Sequence, residues 1–351
     1  MAKRKRKTIL RVVWSAVGLL GLIVIVMGAI LYRYFLTPNL NTSNLASPYL
    51  CIPTGSNFES VVKLLRDKNL LIDEKSFRWS AERMNYIQAV KPGRYRLTRK
   101  MNNKELITLL RSGKQSPVNV IFNNIRTREQ LSSRISEQIE APASSILNLM
   151  NDPDYTRSIG FTSDNILGLF LPDTYEFYWN TSADQFIKRM KREYEKFWTP
   201  ERIRKAGLAG LSPIQVSVLA SIVQQESNRN DEKPVIAGVY LNRLRKGWKL
   251  EADPTLVYAL GDFSISRVLS VYKAIDSRYN TYMYAGLPPG PICLPTQASL
   301  NAVLNFSHHN YMYFCAKDDF SGYHAFAASY EQHLANARRF QKALDKRGIR
   351  S

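Results

Sequence analysis

The stretch Val12–Leu31, VVWSAVGLLGLIVIVMGAIL, holds no charged residue in twenty positions. At about 1.5 Å rise per residue, a helix of that length spans the roughly 30 Å hydrocarbon core of a bilayer. It follows directly on Lys3, Arg4, Lys5, Arg6, Lys7 and Arg11, with no acid among them. Trp14 at one end and Tyr32 and Tyr34 at the other stand at interfacial depth, and a positive cluster stays in the cytoplasm. The pattern predicts a basic cytoplasmic segment over 1–11, an uncleaved transmembrane helix over 12–31 and an exported remainder. A cleaved signal peptide fits less well, because the apolar run exceeds the usual length and no clear small-x-small site follows it. A buried soluble helix would show a polar face.

The anchor reorganises the charge argument. The chain has 49 Lys and Arg against 29 Asp and Glu over 351 residues, a net +20. Residues 1–36 hold seven of the bases and no acid, so a net +13 lies beyond them. A basic exported domain does not meet chromosomal DNA, and no RNP, zinc-finger or helix-turn-helix signature is present. Nucleic acid is therefore excluded as a partner, and an acidic extracytoplasmic polymer is the better candidate. With 45% hydrophobic and 22% charged residues, the chain is neither disordered nor polytopic.

Residues 32–48, ending in TPNLNTSNLASP, read as a linker. A strand near Tyr49 then leads to a helix from about Asn57. A second strand at Gly93–Leu97 leads to a helix capped by Asn102 or Asn103 and ending at Gly113. Two such βα units form one small module over 49–116. From residue 117 a larger, helix-rich domain begins, with a strand in SPVNVIFNN and a T-x-x-Q capping box at Thr127 and Gln130. A turn is expected at Leu171–Tyr175, and helices at Ala183–Phe197, 213–226, 235–246 and Tyr330–Arg347, giving an α+β chain.

The chemistry points to Glu226. At 100° per residue it lies within about 60° of Leu219, Ile222 and Val223, on the apolar stripe of its own helix. A carboxyl desolvated there keeps a proton near neutral pH, as a general acid requires. The competing reading is a solvated helix end or an Arg pair. Gln224, Gln225, Asn242 and Arg243 offer directional hydrogen bonds suited to a sugar polymer, and Trp248, Tyr279, Tyr282 and Tyr284 offer flat apolar faces; each fits a core or rim position equally. H-E-x-x-H, C-x-x-C, G-x-S-x-G and the P-loop motif are absent. His308, His309, His324 and His333 lack zinc-ligand spacing, so no metal or cofactor is expected. Cys51, Cys293 and Cys315 leave room for one disulfide, with no pairing implied.

These residues sit in longer motifs: VKPGRYRLT and ELITLLRSGKQ, LFLPDTYEF (169–177), LASIVQQES (219–227), VYLNRLRKGWKLEADPTLVYALG (239–261), YNTYMYAGLPPGPI (279–292) and the terminal YMYFCA, GYHAF and YEQH. In that order they resemble the YceG-like family, the endolytic murein transglycosylases, over nearly the whole chain. The resemblance implies a single-pass enzyme of the bacterial inner membrane with a LysM-like module and a catalytic domain over 117–351. It would cut nascent glycan strands internally, ending their elongation beside peptidoglycan synthases and the division machinery, with no cofactor. It places the catalytic acid on Glu226, and substrate contacts are expected from Gln225, Asn242, Arg243, Asp253 and Tyr282. The family reaction uses one Glu as acid and then as base, closing a 1,6-anhydro ring on MurNAc without water.

This chain departs from the family at three places: Gln224 replaces a frequent Glu, Leu167 stands where Glu is common before Gly168, and Cys293-Leu294-Pro295 replaces Asn-Pro-Gly. Two rivals remain. A lysozyme-type hydrolase needs a second carboxylate roughly 5 to 9 Å from the first, for which Glu251 and Asp253 are candidates, although Asp253-Pro254 reads better as a helix N-cap. A membrane-tethered glycan binder would need no acid at all.

Overall fold

The computed structural model describes residues 2–43, 47–265 and 267–348. It separates into two units, Met1–Val118 with Glu176–Asn180, and Asn119–Tyr175 with Thr181–Ser351.

In the smaller unit, α1 (Ala2–Phe35) overruns the apolar run at both ends, since no helix breaker precedes Pro38. Its stretch Ile9–Phe35 is long and apolar enough to cross a membrane. The chain then passes β1 (Tyr49–Ile52), α2 (Phe58–Asp67), α3 (Glu74–Arg83), β2 (Gly93–Arg96) and α4 (Asn103–Ser112). Strands β1 and β2 pair antiparallel, Leu50 opposite Tyr95, and with the helices they bury Leu50, Ile52, Val61, Leu65, Phe77 and Leu106. Asn102 and Glu105 form a reciprocal capping box on α4, and Gly113 closes it with φ +72°, a conformation that costs glycine least. Helix α3 was not legible in the sequence. Its buried face contains Ser76, Ser80 and Ala81 beside Phe77, so the apolar period is faint.

Those serines belong to a buried polar network that fastens the end of α1. The Tyr34 carbonyl accepts from Ser80 Oγ at 3.0 Å and from Asn103 Nδ2 at 2.7 Å. Asn103 Nδ2 also donates to Ser76 Oγ, and its Oδ1 accepts from Asn39 Nδ2 at 2.7 Å. Asn39 in turn accepts from the Asp73 N–H and donates to the Asp73 carbonyl. The segment read as a linker is thus held part-way, with Asn39 and Leu40 buried; its residues 44–46 lie outside the described residues. Asn103→Leu removes one partner from each of three polar groups, and each keeps another, so the cost per group is about 1 kcal/mol, the low end for a lost hydrogen bond. We expect a loss of roughly 2–3 kcal/mol, read as faster amide exchange in α3 and α4; unchanged exchange there would contradict it.

In chain order, the larger unit's elements are β3 (Val118–Phe122), α5 (Arg128–Ser136), α6 (Ala143–Asn151), α7 (Pro153–Ser158), β4 (Asp173–Phe177), α8 (Ala183–Phe197), α9 (Pro200–Ala209), α10 (Pro213–Glu226), α11 (Lys233–Arg245), α12 (Asp253–Leu260), α13 (Gln297–Leu304), β5 (Tyr313–Ala316), β6 (His324–Ala327) and α14 (Tyr330–Lys346). The expected turn at 171–175 is instead the entry into β4. The hairpin β5–β6 pairs Phe314 with Phe326.

Helix α10 is the axis of this unit. Ser212 and Gln215 form its capping box, and Pro213 fills the first turn, where its missing N–H costs nothing. Every residue from Val216 to Val223 is buried, against Ile236, Tyr240, Leu250, Leu300 and Val303 among others. There is accordingly no single apolar stripe, contrary to the expectation for Glu226: the helix is buried all round, and the carboxylate emerges at its enclosed C-terminal end.

Candidate functional site

Glu226, the last residue of α10, lines a cleft of about 550 Å³ together with Arg126, Gln225, Asp253, Tyr258, Phe263 and Arg267. Tyr240 reaches the same carboxyl from α11: its Oη donates to Glu226 Oε1 at 2.5 Å. Burial pushes the Glu226 pKa up from 4.5 to about 7; the Tyr240 hydrogen bond opposes the rise, the Asp253 charge adds to it and the Arg243 charge opposes it. The group is therefore poised to give and take a proton near neutrality.

Asp253 also lines this cleft. It does not cap α12, whose N-cap is Ala252 with no side-chain cap bond; instead its Oδ1 accepts from Tyr282 Oη at 2.5 Å. The N-cap reading is thereby corrected. Lys273 lies over the Tyr282 ring at 4.5 Å. Two residues before Asp253, Glu251 has φ +51°, uncommon for a residue with a side chain, and its N–H donates to the Thr281 carbonyl. Backbone strain thus sits beside the cleft, as it does at many functional sites.

Arg243 and Asn242 face elsewhere. The Arg243 guanidinium is buried and donates to the Met312 carbonyl at 2.8 Å and the Leu250 carbonyl at 2.6 Å, with Glu251 at 3.6 Å. Asn242 Nδ2 donates to the carbonyls of His309 and Tyr311. Both hold the frame around the cleft. Gln225 lines the cleft, accepting from Arg126 Nη2 at 2.9 Å and donating to Cys293 Sγ at 3.4 Å. Trp248 packs on Tyr313, Tyr279 on Tyr258, and Tyr284 Oη donates to Asp276.

The sequence departures prove to be linked. Gln224 Oε1 accepts from the Thr296 N–H at 2.6 Å and Ser299 Oγ at 3.1 Å, while its Nε2 donates to the Leu294 carbonyl and to Cys293 Sγ. A carboxylate at 224 would face the Leu294 carbonyl with no proton to offer, so the amide matches the replaced loop. Leu167 is buried in the 3₁₀ turn Ile166–Leu169. Among the described residues, no group of three His, Cys, Asp or Glu could hold a metal, and no disulfide joins Cys51, Cys293 and Cys315. His324 is spent on Glu232 and His309 on the Val235 carbonyl.

Sequence reasoning missed Tyr240 and Arg126. A lone phenol inside VIAGVYL, fourteen residues after Glu226, was the available signal for Tyr240. Arg126 carries no periodic signal, because it reaches the cleft from a loop.

The chain is similar to known proteins over most of its length. The profile of the YceG-like family matches residues 50–339. An endolytic murein transglycosylase of Bacillus subtilis (strain 168) is 26% identical over 314 residues, covering 84% of this chain and 86% of the relative. One from Streptococcus pneumoniae (D39) is 25% identical over 341 residues, covering 87% of this chain and 61% of the relative. A solved structure of a YceG-like protein from Listeria monocytogenes superposes with a TM-score of 0.56 at 28% identity, covering 82% of this chain and 97% of that one.

Proposed function

The chain belongs to the YceG-like family, and on that footing we propose that it is a membrane-anchored endolytic lytic transglycosylase of peptidoglycan. The observation that carries the reading is a half-buried carboxyl group, Glu226, lining a cleft with a pKa near 7. Protonated Glu226 donates to the oxygen of a MurNAc–GlcNAc bond as that bond breaks. The resulting carboxylate accepts the proton of the MurNAc C6 hydroxyl, whose oxygen attacks C1 and closes the 1,6-anhydro ring. The proton count balances and water is not consumed. Gln225, Asp253 and Tyr282 supply hydrogen bonds to the strand, while Asn242 and Arg243 act through the frame.

The basic residues in the first turns of α1 support a cytoplasmic N-terminus and an external larger unit, where glycan leaves the synthases and the division machinery. The βααβ order of β1, α2, α3 and β2 supports the LysM-like assignment of the small unit. Its net charge suits the carboxylates of peptide stems.

Asp253, beside Glu226 in one cleft, favours hydrolysis as the second reading, with Asp253 as the further carboxylate. Mass spectrometry of sacculus digests separates the two: anhydro-MurNAc ends are expected, and reducing MurNAc ends would overturn the lytic assignment.

Tyr240→Phe tests how the acid is set. The lost hydrogen bond favours the ionised carboxylate, so its removal raises the Glu226 pKa. Because the free enzyme needs the protonated form, the alkaline limb of kcat/KM, expected near pH 7, moves to higher pH, with kcat reduced about tenfold. An unmoved limb would show that Tyr240 only packs.

A further inference from the structure

We propose that the groove between the end of α1 and the small unit is a binding site for one anionic phospholipid of the surrounding bilayer, its acyl chain along the groove and its phosphate at Lys104. The proposal rests on the reading of α1 as a membrane anchor.

The groove encloses about 630 Å³, with Gly28, Leu31, Tyr32 and Phe35 on one wall and Met84 and Lys104 on the other. Its α1 wall lies within the apolar stretch Ile9–Phe35. The inner half therefore opens at the depth of the outer acyl chains, where water is absent and lipid is the available occupant. The outer half lies at headgroup depth. There Trp79 packs edge-on to Tyr34 with ring centres 4.9 Å apart, and Arg83 lies 3.5 Å over its ring. An aromatic belt with a cation is the usual furniture of that layer.

Charge selects the headgroup. Lys104 is exposed, and among the described residues no acid pairs with it. Glu105 beside it is turned into the Asn102 cap. An ammonium on a flexible apolar stem can lie along the groove and present its charge at the lipid phosphate. The walls are preformed, because Asn103, next to Lys104, is bonded to the Tyr34 carbonyl. Gly28 leaves the floor open: a Cβ built there meets nothing within 4 Å, so a larger side chain would fill the groove without displacing protein.

The test uses the full chain in nanodiscs of equimolar phosphatidylglycerol and phosphatidylcholine, followed by native mass spectrometry. One phospholipid retained per chain is expected, phosphatidylglycerol favoured about fivefold, the worth of one lysine near an anionic headgroup. Gly28→Leu should insert normally yet retain at least fivefold less lipid, and Lys104→Glu should abolish the preference for phosphatidylglycerol. Wild-type chain that inserts but carries no lipid, Gly28→Leu retaining as much as wild type, or an unchanged preference in Lys104→Glu would each overturn the site alone. A chain that fails to enter the bilayer would overturn the anchor reading first.

Discussion

Replacing Glu226 by Gln is expected to lower kcat on purified sacculi by about three orders of magnitude, within the range that positioned acid–base groups contribute. The same variant should be more stable than the parent at pH 8. In the unfolded chain this carboxyl ionises near 4.5, whereas the folded protein holds the proton to about pH 7. Between those values the native state binds more protons, so stability falls as pH rises through the window and stays low above it. A difference of that size corresponds to roughly 3–4 kcal/mol, which a neutral amide in the same place recovers. Paired activity and melting measurements at pH 5 and pH 8 check both halves. Retained activity would remove Glu226 from the chemistry, and an equal melting shift at the two pH values would show that its charge is not strained by burial.

Arg243→Met is expected to destabilise the larger unit strongly. The guanidinium satisfies the Met312 and Leu250 carbonyls from a buried position, and its removal leaves both without that donor at about 1–3 kcal/mol each. We expect a loss of roughly 3 kcal/mol, about 6–10 °C in Tm for a unit of this size. Activity should fall as well, because Leu250 leads through Glu251 to Asp253. Arg243→Lys should lie between the two, since a point charge cannot reproduce the fork. A Tm change below 1 °C would remove the structural role assigned to this arginine.

What the sequence made legible follows from where its physics is local. Helices α8 and α10 were placed with the bounds the structure shows, because capping residues and periodicity act within a few positions: Ser182 with Gln185, and Ser212 with Gln215. Helix α3 escaped because its buried face is half hydroxyl. At Thr127 the expected box is half formed, since the Gln130 side chain accepts from Arg126 N–H rather than from the cap residue. For the candidate site, the sequence pointed to Glu226 but misjudged its surroundings. Glu226 is desolvated at the buried end of a central helix, and Asp253 faces the cleft rather than its own helix. Tyr240 and Arg126 come from elements whose meeting with α10 is a long-range fact, which no local pattern encodes.

The clamp on the Tyr34 carbonyl has a mechanical consequence. The charge-free stretch Val12–Leu31 has 20 residues, about 30 Å of helix, matched to a hydrocarbon layer of roughly 30 Å. In a thinner bilayer the span is too long, and such mismatch is relieved by tilt. Since the last turn of α1 is bonded to α3 and α4, any tilt of the span is a tilt of the whole small unit. Where α1 spans a bilayer, the bilayer's thickness thereby becomes an input to the protein: a thinner membrane tilts the small unit toward its surface, and a thicker one stands it upright.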